Sequence, residues 1–523
     1  MKKLFVLFLS LIVSCISKEE VPGPPLPEED TAVYHDMIVL GEKLDDPYSI
    51  DNMRKALARV CPSRAERVDL KETDLYVRFL PETGDDYERL SGLGIPLVDH
   101  PVDYRILREG DWYHDPAIPE DRFTWQYSVV PADFSFPAGI AYELLDKCYI
   151  AANDTRSGSD GIDWDEVERE AFRLTGNASM LVPSTRAGTV GGPSGRITIE
   201  DPLFAGGKPF GVAGVEVFCN TFVKCGYAHT DRDGYYSISK VFSSEPRYRL
   251  VFDNSRGFSI GLNLVLIPGS VSALGKGDVA GIDVHVGPES DRSLFRRCAV
   301  NNAAYDYISR CTAEDMGITP PPSNLRFWII PGLRAGSAPM LHHGAVMGLD
   351  LVNEYLGDYS KIVTWFLPDI TVGITSEDDY ASVYASICHE MSHASHYSQV
   401  GNDFWNRYVK YVITSFVKTG GTIYGTGEGT DAGYCEVGEM WAYFNEAKMI
   451  RERYGGVSPD LGTTFWFRPQ IFTSLDERGV NRGKIFRALG DDVCSRATLQ
   501  DRLNRLYPAD RSVIDQIFER YGL

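Results

Sequence analysis

Residues Ala381–Tyr397 read ASVYASICHEMSHASHY, and the rest of the chain is understood from this stretch. Within it, His389-Glu390-Met391-Ser392-His393 sets two histidines four residues apart. On an α-helix that spacing stacks both imidazoles one turn apart on one face, within reach of a single metal ion. Glu390 projects about 100° around the same helix. From there its carboxylate can take a proton from a water molecule without ligating the metal. Tyr384, Ile387, Met391 and Ala394 fall on the opposite side as a core-facing stripe, and neither Pro nor Gly interrupts the run. A histidine pair on a helix can be plain polar surface. With 10 histidines in 523 residues, three at 389, 393 and 396 favour a metal-binding face.

A catalytic Zn²⁺ takes three protein ligands, so a third is expected downstream. Tyr434–Phe444 reads as a helix on which Cys435, Gly438, Glu439 and Ala442 share one face. Small residues around one carboxylate allow close approach, which favours Glu439 as the ligand. Glu436 is the alternative; otherwise it holds a histidine tautomer from behind. His396 shares the face of His389 but lies about 10 Å along the axis, too far for one tetrahedral ion. It is read as lining the substrate cleft, with a structural histidine as the competing reading. Tyr434 or Tyr424 is a candidate donor to an oxyanion. Gly420–Gly433 reads as a flexible loop, and without Gly-Lys-Ser/Thr it is no phosphate cradle. Upstream, Asp291–Tyr307 and Gly344–Leu356 read as helices and Leu325–Ile330 as a strand. Lys361–Ile374, broken by Pro368, is a β-rich run that reads either as an edge strand able to bind an extended peptide or as an ordinary buried strand.

These residues resemble the gluzincin metallopeptidases, which pair H-E-x-x-H with a glutamate on a later helix. Glu439-Met440-Trp441-Ala442 matches their ligand-x-x-Ala pattern. The chain departs from the related form with an acidic residue four after the ligand, since Tyr443 stands there. The H-E-x-x-H-x-x-H run is similar to that of the Bacteroidota substrate import-associated zinc metallohydrolase lipoproteins. That resemblance covers about 381–450 and implies a place beside an outer-membrane nutrient-import complex. A metzincin would need Gly and His where His396 and Gln399 stand.

From its start, the chain shows Lys2-Lys3 and an apolar run, Leu4–Val13, then Ser14-Cys15. The run is too short to span a bilayer and fits a secretory leader. Ile12-Val13-Ser14-Cys15 resembles a bacterial lipobox, which implies lipidation at Cys15. Ser17-Lys18-Glu19-Glu20 resembles the export signal of Bacteroidota surface lipoproteins. The expected location is therefore the outer membrane, facing outward, with membrane contact through the lipid alone. Val21–Asp30 is a Pro-rich acidic tether. A formal charge of −21 argues against nucleic acid as a partner. Nine further cysteines are scattered and show no framework, although Cys219 and Cys225 flank a hairpin and could pair.

Asp51–Val60, Ala138–Tyr149 and Trp164–Leu174 read as helices, and Thr73–Leu80 as a strand. The aromatic, acidic stretch Arg105–Phe136 suits either a carbohydrate or peptide groove or, more simply, loops stapled by aromatics. After Gly191-Gly192-Pro193-Ser194-Gly195 the pattern changes to short strands. Thr230-Asp231-Arg232-Asp233-Gly234-Tyr235-Tyr236 reads as a tight turn between two of them, and lacks the glutamate a calcium loop requires. It is similar to the T-D-x-D-G-x-Y signature of the carboxypeptidase-regulatory-like, or transthyretin-like, β-sandwich, which implies a positioning module over about 195–290.

The expected fold class is α+β multidomain. It comprises a signal and tether (1–30), an N-terminal α/β region (31–190), the β-sandwich (191–290) and a mainly helical zincin-type domain (291–523). The expected function is a zinc metallopeptidase acting on peptide or protein substrates, with His389, His393 and Glu439 on the metal and Glu390 as general base. Its rivals are a surface peptide- or glycan-binding lipoprotein with a structural metal, and a zinc amidase acting on a non-peptide substrate.

Overall fold

The computed structural model describes residues 37–65, 68–119, 122–151, 161–183, 191–261, 271–311, 316–331, 336–344, 368–419, 424–456 and 465–522. Cys15 and the tether, nearly all of the helix expected over 344–356, and residues 361–367 and 420–423 lie outside the described residues. The chain is mixed α/β, with several sheets and a helical C-terminal region.

The N-terminal region runs β1 (Val39–Lys43), α1 (Ile50–Val60), β2 (Asp74–Leu80), α2 (Gly84–Ser91), β3 (Tyr104–Arg108), β4 (Gln126–Pro131), β5 (Ala141–Cys148) and α3 (Trp164–Leu174). Ser49 caps α1 by accepting from the Asn52 amide, and Asp163 caps α3 likewise through Glu166. Met53, Ala56 and Leu57 of α1 pack against Val167 and Ala171 of α3. β2 is the centre of a three-stranded antiparallel sheet, β4-β2-β5. The helix expected over Ala138–Tyr149 is therefore wrong: Ala141–Cys148 is a strand, with Tyr142 opposite Phe79 and Leu144 opposite Val77. Short apolar spacings fit either period, and here pairing with β2 decides the outcome.

Ten strands follow: β6 (Ser194–Ile199), β7 (Phe210–Gly211), β8 (Glu216–Thr221), β9 (Lys224–His229), β10 (Tyr235–Ser237), β11 (Arg247–Val251), β12 (Asp253–Asn254), β13 (Phe258–Gly261), β14 (Val271–Lys276) and β15 (Val284–Val286). Eight of them form two sheets, β10-β6-β15 with β7 against β6, and β14-β11-β8-β9. Ile197, Ile199, Val217, Tyr248 and Leu250 fill the core shared between them. The turn before β10 forms as expected. Asp231 accepts at Oδ1 from the Asp233 and Tyr235 amides, and Gly234 has φ 86°. A Cβ on Gly234 would lie 2.1 Å from the Ile197 carbonyl oxygen, so the turn admits only glycine. Cys219 and Cys225 are both free, contrary to the expected pairing. Cys225 opposes Asn220 while Cys219 opposes Gly226, so period-2 alternation turns their side chains to opposite faces.

The C-terminal region begins with α4 (Arg292–Cys311), β16 (Leu325–Pro331), β17 (Gly336–Ser337) and β18 (Ile370–Ile374). Two long helices follow, α5 (Tyr380–Thr419) and α6 (Ala432–Tyr454), then α7 (Gln470–Glu477), α8 (Arg482–Ala488), α9 (Arg496–Leu506) and α10 (Arg511–Arg520). β12 and β13 join a second sheet in the order β12-β13-β16-β18-β17. β18 is thus interior, which decides between the two readings of that run for a buried strand. The short β17, antiparallel to it, is one edge of this sheet among the described residues, and β12 is the other. One buried core runs from Val182 to Phe518 through the sandwich, this sheet and the helices. Among the described residues no helix is long and apolar enough to cross a membrane.

α5 is buried on both faces between residues 387 and 397, and α6 packs along it. Asp379 caps α5 by accepting from the Ser382 amide. The helix breaks at Gly401, where φ is 76° and ψ −174°. In a straight helix, His393 and Tyr408 would stand about 22 Å apart along the axis. Their ring centroids are 5.5 Å apart, so the chain folds back on itself at Gly401. Behind the histidines, Asn445 of α6 donates to Ser392 Oγ, Tyr307 of α4 donates to Ser395 Oγ, and Trp441 donates to the Ser392 carbonyl. These bonds lock the rotation of α5 against its neighbours.

Candidate metal centre

His389 and His393 lie one turn apart on α5, and their Nε2 atoms are 3.2 Å apart. Glu439 Oε2, from α6, is 3.5 Å from the first and 3.6 Å from the second. All three residues have no exposed surface. Two ligands about 2.0–2.1 Å from a tetrahedral ion are separated by about 3.4 Å, which is the size of this triangle. It is the one group of three or more such side chains, among the described residues, whose ligand atoms all lie within 4.8 Å.

His389 and Glu439 are held from their outer atoms. His389 Nδ1 meets Glu446 Oε2 at 3.0 Å, so Nδ1 keeps its proton, and once Nε2 gives up its own the lone pair of the neutral ring points inward. Tyr408 donates to Glu439 Oε1 at 2.6 Å, while Glu439 Oε2 has no hydrogen-bond partner. A buried carboxylate oxygen facing two imidazole nitrogens is a donor set suited to a cation. The fit is good.

The electrostatics agree. Burial opposes charge on Glu439, but His393 and His389 outweigh it and hold the carboxyl at about 2. Burial likewise opposes charge on His389, yet Glu439 and Glu446 push its pKa up to about 10. His393, buried and beside that imidazolium, is lowered. A proton on His389 therefore occupies the place a metal cation would take.

Glu390 stands beside the triangle. It is fully buried, and neither carboxylate oxygen has a partner. Burial, with Glu439 and Glu446 adding to it, pushes its pKa up to about 8. The carboxylate lies against β17: a Cβ on Gly336 would come within 2.6 Å of Glu390 Oε1. Trp405, beyond the Gly401 bend, donates to the Ala338 carbonyl and ties that edge to α5.

The structure separates the remaining candidates. Glu436 points away and forms an ion pair with Arg496 of α9 at 2.6 Å. His396 does not join the triangle. It is fully buried, with Phe404 4.9 Å and Trp405 5.9 Å from its ring and no hydrogen-bond partner on either nitrogen. Burial, then His393, depress its pKa to about 3, so it is neutral. Tyr434 meets Arg407 and Phe404. Tyr424 bonds the hydroxyl of Tyr443, whose ring lies 4.6 Å from His389.

Three residues around the site escape the sequence reading. Glu446 is seven after Glu439, two turns along the same face, so its spacing carried a signal. Tyr443 fills the turn between them. Tyr408 carried none, because only the fold-back at Gly401 brings it to Glu439. Comparison with known proteins finds no matching family model, no matching curated protein and no matching solved structure.

Proposed function

We propose that the chain is a zinc-dependent hydrolase that cleaves peptide bonds at the His389–His393–Glu439 centre. The observation that carries this reading is the metal-sized triangle of ligand atoms, in which Glu439 Oε2 has no hydrogen-bond partner, with the unpartnered carboxylate of Glu390 beside it. Only three protein ligands converge among the described residues, which suits a catalytic rather than a closed structural site. When bound, zinc supplies Lewis acidity that polarises a carbonyl and makes water acidic near neutral pH.

The protein's own groups then have separate tasks. Glu390 takes the proton of the attacking water and delivers it to the leaving amine. Its buried, unpartnered carboxylate beside the ligands is placed for both halves of that transfer. Tyr408 fixes the Glu439 carboxylate, and Glu446 fixes the His389 ring and its tautomer. β17, next to Glu390, offers an edge to which an extended substrate strand adds. The resemblance of 381–450 to gluzincins and of 195–290 to a carboxypeptidase-regulatory-like sandwich supports the same reading. We further propose, from the lipobox resemblance at Cys15, that it works at the cell surface beside a nutrient importer.

The test is hydrolysis of a peptide library by zinc-loaded protein, wild type beside Glu390→Gln. Zinc content should be equal, and kcat should fall by about 10²–10⁴ in the variant. A Glu390→Gln protein with full zinc-dependent activity contradicts the mechanism. Cleavage of glycan-linked amides but no peptide contradicts the substrate class.

A further inference from the structure

A second polar site lies away from the metal, between the N-terminal region and the outer face of the β14-β11-β8-β9 sheet. There lies a partly open cavity of about 280 Å³, lined by none of the metal-centre residues. Strand alternation sends Val217, Cys219 and Leu250 into the sandwich core and turns Glu216, Phe218, Arg249 and Val251 outward. Over that outward face lie Ile95, Leu97 and Val98, so the cavity has apolar walls.

Arg249 is the group that needs explaining. It is 5% exposed and lines the cavity. Its hydrogen bond among the described residues is from Nη2 to His100 Nε2, at 2.9 Å. His100 is itself buried and donates from Nδ1 to Asp99 at 2.8 Å. Burial, then Arg249, lower the His100 pKa to about 4, so its ring is neutral and its Nε2 accepts. Among the described residues no carboxylate forms an ion pair with the guanidinium, although Asp99 and Asp111 act on it from nearby, and its remaining donors are left for the cavity.

The opposite charge sits on the same face. Arg249 opposes Phe218 and Val251 opposes Glu216, so Arg249 and Glu216 are diagonal neighbours, about 7–8 Å apart at the backbone. They form no ion pair. Glu216 is half-buried, Asp253 is exposed at the rim, and neither carboxylate has a hydrogen bond or ion pair among the described residues. Each pushes the other's neighbourhood negative, and burial with Asp253 raises the Glu216 pKa to about 7. Four carboxylates and one buried cation therefore line one small cavity: Asp99 and Asp111 are already bonded, to His100 and Tyr113 and to Arg297 and Ala273, while Glu216 and Asp253 are left for the cavity.

We propose that this cavity binds an aliphatic α-amino acid, its carboxylate on Arg249, its ammonium on Glu216 and Asp253, and its side chain against the apolar wall. Charge-assisted hydrogen bonds of about 2.8 Å would hold the zwitterion at each end. The cavity lies just below the usual range for drug-sized ligands, which suits a single amino acid. The site stands on its own residues and does not depend on the metal.

The test is calorimetric titration of the full chain with L-leucine. Two probes each lack one charge: 4-methylpentanoate has no ammonium and isoamylamine no carboxylate. Saturable binding of L-leucine is expected, with both probes at least tenfold weaker. The rim variant Glu216→Gln with Asp253→Asn, checked for an unchanged melting temperature, should weaken L-leucine at least tenfold. Arg249→Met should abolish binding where it folds, and the rim variant keeps the test decisive where it does not. No binding of L-leucine, equal binding of 4-methylpentanoate, or no effect of the rim variant overturns the proposal.

Discussion

Two of the buried charged clusters among the described residues are built on opposite terms. Lys224 of β9 and Glu168 of α3 are both almost wholly buried, with Lys224 Nζ 3.0 and 2.8 Å from the two carboxylate oxygens. Tyr48 donates to the same carboxylate at 2.8 Å, and its ring lies 5.5 Å below the ammonium. That cluster is closed: each charge is answered by protein. At the metal centre the burial is as deep, yet Glu439 Oε2, His393 Nδ1 and both oxygens of Glu390 have no hydrogen-bond partner. Leaving such groups unsatisfied is costly, so an arrangement that keeps several together points to something bound. Depth of burial does not distinguish structure from function here; satisfaction does.

The comparison can be broken at either end. Glu168→Ala strands a buried ammonium and should cost about 3–5 kcal/mol in urea unfolding, with metal content unchanged. Loss of metal in that variant would mean the clusters are not independent. A milder version comes from acid. His100 is buried neutral, with its folded pKa at about 4, below the ordinary 6.5 of a histidine. The unfolded chain takes the proton first, so stability present above pH 6.5 drains away as pH falls toward 4. That amounts to on the order of 3 kcal/mol. Unfolding measured across this window should show the slope, and His100→Gln should reduce it.

Smaller effects sharpen the account of the metal site. Glu446→Gln removes the charge behind His389 and should weaken zinc binding about 10–100-fold in a competition titration. Tyr408→Phe removes one hydrogen bond to Glu439 and should cost about 1 kcal/mol of metal affinity, less than tenfold. An effect of Tyr408→Phe larger than that of Glu446→Gln would reverse the ranking proposed for the supports.

How much of this was legible in the sequence depended on the distance over which a residue acts. His389, Glu390 and His393 lie within one helical turn, so spacing alone sets their relation. Glu439 was readable because small residues around it marked a face for close packing; its neighbour Glu436 differs only by facing Arg496. Glu446 needed the same face followed two turns further. Tyr408 and Trp405 could not be read, since their positions exist only after the chain doubles back at Gly401. β5 was misread because its spacing fits two periods and its partner β2 begins 67 residues earlier. The Arg249 cavity was illegible for the same reason: its walls come from residues 38–126 and 216–271, and nothing local relates them.

The central claim is that Glu439, with the two histidines, holds the metal. Zinc content of the purified protein, wild type beside Glu439→Ala and Glu436→Ala, tests it most directly. Near-stoichiometric zinc in wild type and Glu436→Ala, lost in a folded Glu439→Ala, is the predicted result. Zinc retained by Glu439→Ala, or none taken up by folded wild type when zinc is supplied, would contradict the account.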